Sequence, residues 1–142
     1  MNMNMMDALN AYNAMLALRP YIEKGAESLS DADASMCPSL FPVMKYDGSL
    51  IEYRKRINWE GTVMMARQDL WDLETNDPAH APSLWVGIKY KEGIRVIPET
   101  MTAEEQFHAG ELGWWEDKLY RAKYDGTVWP PSIVPDSWEV VQ

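Results

Sequence analysis

Two stretches of this chain repeat each other at a fixed offset. Trp59-Glu60-Gly61-Thr62-Val63-Met64-Met65-Ala66 returns, altered, as Trp115-Glu116-Asp117-Lys118-Leu119-Tyr120-Arg121-Ala122, so Trp59 and Trp115, Val63 and Leu119, and Ala66 and Ala122 stand 56 positions apart. The offset then falls to 53, because Pro82-Ser83-Leu84-Trp85 is echoed by Pro135-Asp136-Ser137-Trp138, and the second copy's loop is three residues shorter. Such a chain must build one supersecondary unit twice. Two copies fall short of the three or more that a solenoid needs, so each unit is expected to carry its own small core.

Each copy reads as a hairpin followed by a closing strand. Tyr53, Ile57 and Trp59 fit a first strand, Glu60-Gly61 a tight turn, and 62–67 a second strand of β-branched and large apolar residues. The second copy turns at Glu116-Asp117 between 111–115 and 118–123, and the closing strands are 84–88 and 138–141. The stretch 69–83 reads as loop, and Tyr46-Asp47-Gly48-Ser49 as a turn. Ile94-Arg95-Val96-Ile97 is a strand without an evident partner, stopped by Pro98. Thr102-Ala103-Glu104-Glu105 has the capping-box pattern of a helix start.

Upstream the period changes. Residues 5–19 lack Gly and Pro and carry Met5, Leu9, Tyr12 and Leu16 at helical steps; Pro20 is expected to end or kink the helix, with one more turn at 21–24. This apolar stripe needs a partner, which can be the chain's own modules, another copy or a larger assembly. Ser28-Leu29-Ser30-Asp31 caps a short helix near 31–36. The fold expected is mostly β with an N-terminal α-helical segment, as a helical segment over 1–38 and two small antiparallel β-modules in tandem, 39–98 and 99–142.

A net charge of -9 and a pI near 4.6 set a repulsive field against nucleic acid and anionic membranes. Cys37 is the single cysteine, so no intrachain disulfide forms; it reads as a small buried apolar residue. The N-terminus Met1-Asn2-Met3-Asn4-Met5-Met6-Asp7 lacks the basic region of a signal peptide, and no apolar run is long enough for a membrane span. Glu104, His108 and Glu111 share a face if their segment is helical, yet neither His108 nor His80 stands in a metal-ligand pattern. The acidic pairs Glu104-Glu105 and Glu116-Asp117 lack the deep cleft that glycoside hydrolysis needs if the chain is only two small modules. No enzyme, cofactor or metal is expected.

The order in the second copy of Phe107, Gly110, Trp115, Leu119-Tyr120-Arg121-Ala122, Pro130 and Ser137-Trp138 resembles the small three-stranded carbohydrate-binding modules of bacterial chitinases, which also occur in phage tail-associated proteins. Ser28-Leu29-Ser30-Asp31 and Leu40-Phe41-Pro42, followed by Pro82-Ser83-Leu84-Trp85, resemble the lead-in of the phage versions. The resemblance implies a phage virion component, assembled in the host cytoplasm, that joins other virion proteins or itself through the N-terminal helix, with contact to host cell-surface polysaccharide as a further implication. The chitinase modules follow the Leu-Tyr-x-Ala strand with two exposed tryptophans; here those positions hold Gln68-Asp69 and Tyr124-Asp125. Trp71, Trp114, Tyr124 and Trp129 are therefore the candidate carbohydrate-binding residues, with stacking and local packing both open. Trp59, Trp85, Trp115 and Trp138 are expected in the cores, since a module of this size needs large residues to fill it.

Overall fold

Asn4 caps the first helix, α1 (Met5–Ala26), its side chain accepting from the Asp7 N–H at 2.8 Å. The structure is a computed structural model that describes residues 4–142; Met1, Asn2 and Met3, read above for a targeting signal, lie outside the described residues. The helix runs through Pro20 instead of ending there. Proline's fixed φ suits a helix, and its missing N–H removes one bond, to the Leu16 carbonyl. The next turn is held from outside. Arg19 donates to the carbonyls of Ser39 (2.7 Å) and Phe41 (2.9 Å) and to Glu23 (3.1 Å), while Arg56 donates to the carbonyls of Ala26 and Glu27. Ser30 caps α2 (Asp31–Ser35), accepting from Asp33 N at 3.1 Å.

Ten short strands follow: β1 (Leu50–Ile51), β2 (Arg56–Trp59), β3 (Thr62–Ala66), β4 (Leu70–Trp71), β5 (Trp85–Ile88), β6 (Tyr90–Lys91), β7 (Ile94–Arg95), β8 (Leu112–Trp115), β9 (Lys118–Ala122) and β10 (Trp138–Val140). The repeat becomes two antiparallel sheets of matching topology, β2-β3-β5 and β8-β9-β10. Trp59 faces Thr62 as Trp115 faces Lys118, and Ala66 pairs with Trp85 as Ala122 pairs with Trp138. Both hairpins turn through two residues of positive φ, Glu60 (50°) with Gly61 (83°) and Glu116 (49°) with Asp117 (64°), the geometry that matches strand twist. Each closing tryptophan also ties down its loop, Trp85 Nε1 donating to Asn76 O and Trp138 Nε1 to Trp129 O, both at 2.8 Å. Trp59 and Trp115 thus occupy equivalent positions, as do Trp85 and Trp138.

Several expectations need correction. The stretch 69–83 is not all loop, because β4 pairs with β1 and buries Leu70 against Ile51. Tyr53 lies outside the first strand, in a turn where Arg54 has φ 70° and where the second copy has Gly110 at 90°. The capping box at Thr102 starts only a single 3-10 turn, Ala103–Glu105, so Glu104, His108 and Glu111 share no helical face. Glu111 instead accepts from the His108 N–H at 2.9 Å. Cys37 is half-buried, at the start of a 3-10 turn.

The first sheet is covered on both faces. One side packs Val63, Val86 and Ile88 against Ala26, Ala34 and Phe41, while the other carries Ile57, Ala66 and Trp85 against Ile51 and Leu70. The second sheet has one cluster, of Ile97, Phe107, Ala122 and Trp138. Between them, the hairpin β6-β7 returns the chain so that Val96 bridges Trp114 in parallel and Ile97 N donates to Trp114 O at 2.8 Å. The strand without an evident partner thus pairs with β6 through Ile94 and Arg95, and its end meets the edge of the second sheet by the single bridge at Val96. Ile97 then fills the space that an isoleucine at 57 fills in the first module. The matching position in the second module is Gly113, where a Cβ would lie 2.5 Å from Ile97 Cγ1.

Candidate functional site

The two modules enclose a cleft of about 590 Å³. Trp59, Met64 and Gly87 form its first-module wall, on the sheet face that bears Trp85; Trp115 and the segment Val96 to Thr100 form the other. Trp59 and Trp115 are half-buried, each packing on its own core and presenting its remaining surface to the cleft. Both end the strand that leads into the tight turn, so the repeat itself puts one indole on each wall. The polar groups around them are Thr62, Lys89, Glu99, Thr100 and Glu116. A volume of this size lies within the roughly 300–1,000 Å³ of small-molecule sites, and the two-module chain does provide a cleft, though an open one.

One ion pair fixes the width of the cleft. Arg67, just past β3, donates Nε and Nη2 to the two Glu105 oxygens at 2.9 and 2.7 Å, and Nη2 also reaches Thr100 O at 2.9 Å. Both side chains are nearly shielded from water, and the planar fork matches the carboxylate as two parallel bonds. Burial works to raise the Glu105 pKa. The bonds and charge of Arg67, with those from Thr102, outweigh it and hold the carboxyl below the usual range. Away from the cleft, the Arg95 guanidinium lies 3.7 Å from the Phe107 ring centroid.

The four candidate sugar-binding aromatics lie elsewhere. Trp71 on β4, and Tyr124 and Trp129 in the second module's loop, are exposed, at 58%, 61% and 56%. Their backbones are engaged, since the carbonyls of Trp71, Tyr124 and Trp129 accept from Asn76, Thr127 and Trp138, whereas their rings face solvent. Trp114 is half-covered: Lys91 Nζ sits 4.6 Å from its ring centroid, and its Nε1 donates to Lys91 O at 3.0 Å. Tyr124 and Trp129 share a loop and Trp71 belongs to the other module. None of the four makes a ring–ring contact; those pairs are Phe107 and Tyr120 with Trp138. Sequence reasoning placed Trp59 and Trp115 wholly in the cores, and the signal it passed over was their position beside the turns, where a strand-end residue is only half covered.

A polar network braces the first module's loop. Asp77 is buried and accepts from Tyr46 Oη (2.9 Å) and from the N–H groups of Ala79 and His80, and pairs with His80 Nδ1 (2.8 Å). Burial works to raise the Asp77 pKa, but the bonds from His80 and Tyr46 win and lower it, while Asp77 raises that of His80. In the second module Pro130 takes the place of Asp77 and the same turn closes, Val134 N donating to Pro130 O.

The other exposed feature is α1. Every residue from Asn4 to Leu18 is exposed. Leu9, Tyr12 and Leu16 are 50%, 59% and 54% exposed, so the chain's own modules do not cover the apolar stripe. Among the described residues no helix is long and apolar enough to cross a membrane. No family model matches the chain, and no curated protein matches it in sequence.

Proposed function

We propose that this chain is an accessory subunit of a phage particle, held in the assembly by α1, whose paired modules hold host-surface saccharide in the cleft between Trp59 and Trp115. The observation that carries the assembly role is the uncovered helix. Fifteen consecutive residues, Asn4 to Leu18, touch no core, and a helix of that length is marginal in water without a partner. The cleft supports the saccharide role. Indole faces match the apolar faces of pyranose rings, and the surrounding carboxylates, hydroxyls and Lys89 are the groups that pair with sugar hydroxyls.

Two measurements test the reading. Antibody against this chain should label gradient-purified particles. Titration with soluble host cell-wall and capsular polysaccharide should quench tryptophan emission in the wild type and fail in Trp59→Ala, Trp115→Ala and Gly87→Leu, the last of which fills the cleft from its first-module wall. A Tyr124→Ala, Trp129→Ala double variant separates the exposed loop from the cleft. Particles without the chain refute the assembly role, and binding lost only in the loop variant moves the sugar site to the loop.

A further inference from the structure

The second module's hairpin shows how this chain holds an ammonium group. Lys91 Nζ lies 4.6 Å from the Trp114 ring centroid and 3.7 Å from Asp117 Oδ1, so an indole of β8 and a carboxylate of its turn receive one positive charge together. The neighbouring residues offer the same pair of groups on the other side. Successive side chains of a strand point to opposite faces, so Trp115 lies on the face opposite Trp114 and, with Glu116, lines the cleft. Among the described residues no cation of the chain is paired with Trp115 or Glu116.

From this we infer that the cleft recognises saccharide bearing a free ammonium, an amino sugar without its acetyl group, which Trp115 and Glu116 take as Trp114 and Asp117 take Lys91. The inference rests on the saccharide reading above and names the class of sugar. Charge in the cleft favours it. Glu105 cancels Arg67, which leaves two carboxylates, Glu99 and Glu116, against the one ammonium of Lys89. Both glutamates belong to the second-module wall. Lys89 belongs to the first, where its stem runs over Gly87, Cε lying 3.5 Å from the point that a Gly87 Cβ would occupy. The walls therefore differ in sign, and a cationic group is drawn toward the one that holds Trp115. The overall charge of -9 adds a field of the same sign, and the facing indole of Trp59 supplies a second ring for the ammonium or for the sugar's apolar face. An acetamide at the same ring position carries no charge and gains none of this.

The test is tryptophan emission of the full-length protein titrated with hexamers of glucosamine, N-acetylglucosamine and glucose, which share one linkage and differ in one ring substituent: an ammonium, an acetamide or a hydroxyl. The glucosamine hexamer should bind about tenfold more tightly than the other two, and added salt should erode the difference. Glu99→Gln combined with Glu116→Gln should abolish the preference and leave the weaker binding of the neutral hexamers, whereas Lys89→Met should increase it. Glu52→Gln combined with Glu74→Gln removes the same charge from exposed positions outside the cleft and should leave the preference in place. Near-ultraviolet circular dichroism of the buried tryptophans checks that the modules stay folded. Equal binding of the three hexamers, a preference that survives loss of both cleft glutamates, or one lost equally in the outside pair overturns the inference. If host polysaccharide still quenches the wild type and fails in Trp115→Ala, the saccharide reading stands and only the class of sugar is wrong. If neither polysaccharide nor any hexamer binds, both fall.

Discussion

Gly113 is the point at which the second module's packing is most exposed to a single atom. A Cβ there would lie 2.5 Å from Ile97 Cγ1 and 3.0 Å from both Ile97 Cδ1 and Phe107 Cε2. Favourable carbon contacts sit at roughly 3.5–4.0 Å, so Ile97 or Phe107 must move by about 1 Å. Both are buried, at 2% and 0% exposed, and relaxation has to pass through the core. Overpacking of this kind costs about 1–3 kcal/mol, against which alanine recovers roughly 0.4–1 kcal/mol by restricting the unfolded chain. Gly113→Ala should therefore lose about 1–2 kcal/mol, read as a lower urea midpoint at unchanged slope. Gly87, on the first module's closing strand, is the control. Its Cβ would meet only Lys89 Cε at 3.5 Å and Met64 Sδ at 3.6 Å, and Gly87→Ala should be neutral or slightly stabilising. Ile97→Ala removes both clashing atoms, so the double variant should be more stable than the sum of the single losses predicts, by about 0.5 kcal/mol or more. An unchanged midpoint for Gly113→Ala, or an additive cycle, would refute the claim that Ile97 occupies that space.

Arg67→Ala should destabilise by about 3 kcal/mol, because it strands the buried Glu105 carboxylate, whereas Arg67→Met combined with Glu105→Leu should cost much less; equal losses in the two would show that the pair's charge is not what matters. Since the folded Glu105 pKa is depressed, its contribution is complete above the ordinary carboxylate pKa of about 4.3 and disappears as pH falls through the lower folded value, so the protection factors of amides between the modules should fall in acid for the wild type but not for the double variant. The Asp77–His80 pair should be tightest between the ordinary carboxylate pKa near 4 and the ordinary imidazole pKa of about 6.5. Raised His80 loses its contribution as pH climbs through the folded value, and depressed Asp77 loses its own in acid. NMR titration of His80 should show the raised pKa, and Asp77→Asn should return it toward normal; a normal wild-type value would sink the pairing.

What the sequence discloses here is whatever local chemistry decides alone. The offset of 56 between Trp59 and Trp115 foretold two sheets of the same register, because turn residues and alternation set each hairpin without help from elsewhere. The capping box at Thr102 was legible for the same reason, but its length was not: Glu105 keeps its bond from the Thr102 N–H while also accepting from Arg67, 38 positions earlier, and the segment is helical for one turn only. Likewise nothing in Leu70-Trp71 announces a strand, since its partner Leu50-Ile51 lies across the whole first hairpin. The exposed stripe of α1 was half legible, its spacing plain and its lack of cover settled only by the fold.

The same division explains the site. Aromatic residues after the Leu-Tyr-x-Ala strand can be picked out by order alone, and Tyr124 and Trp129 do face solvent. A cleft between modules belongs to neither repeat. It needs the β6-β7 hairpin to return the chain, Ile97 to join the second sheet and Arg67 to grip Glu105, and only then do two tryptophans that each module half-buries come to line one space. Duplication supplies a pair of equivalent indoles at once, and the linker sets the distance between them. Lengthening the chain at Glu92-Gly93, in the exposed turn of that hairpin, leaves both sheets untouched. Shortening the stretch from Ile97 to Thr102 instead pulls Glu105 off Arg67, so cleft geometry should follow the second change and ignore the first.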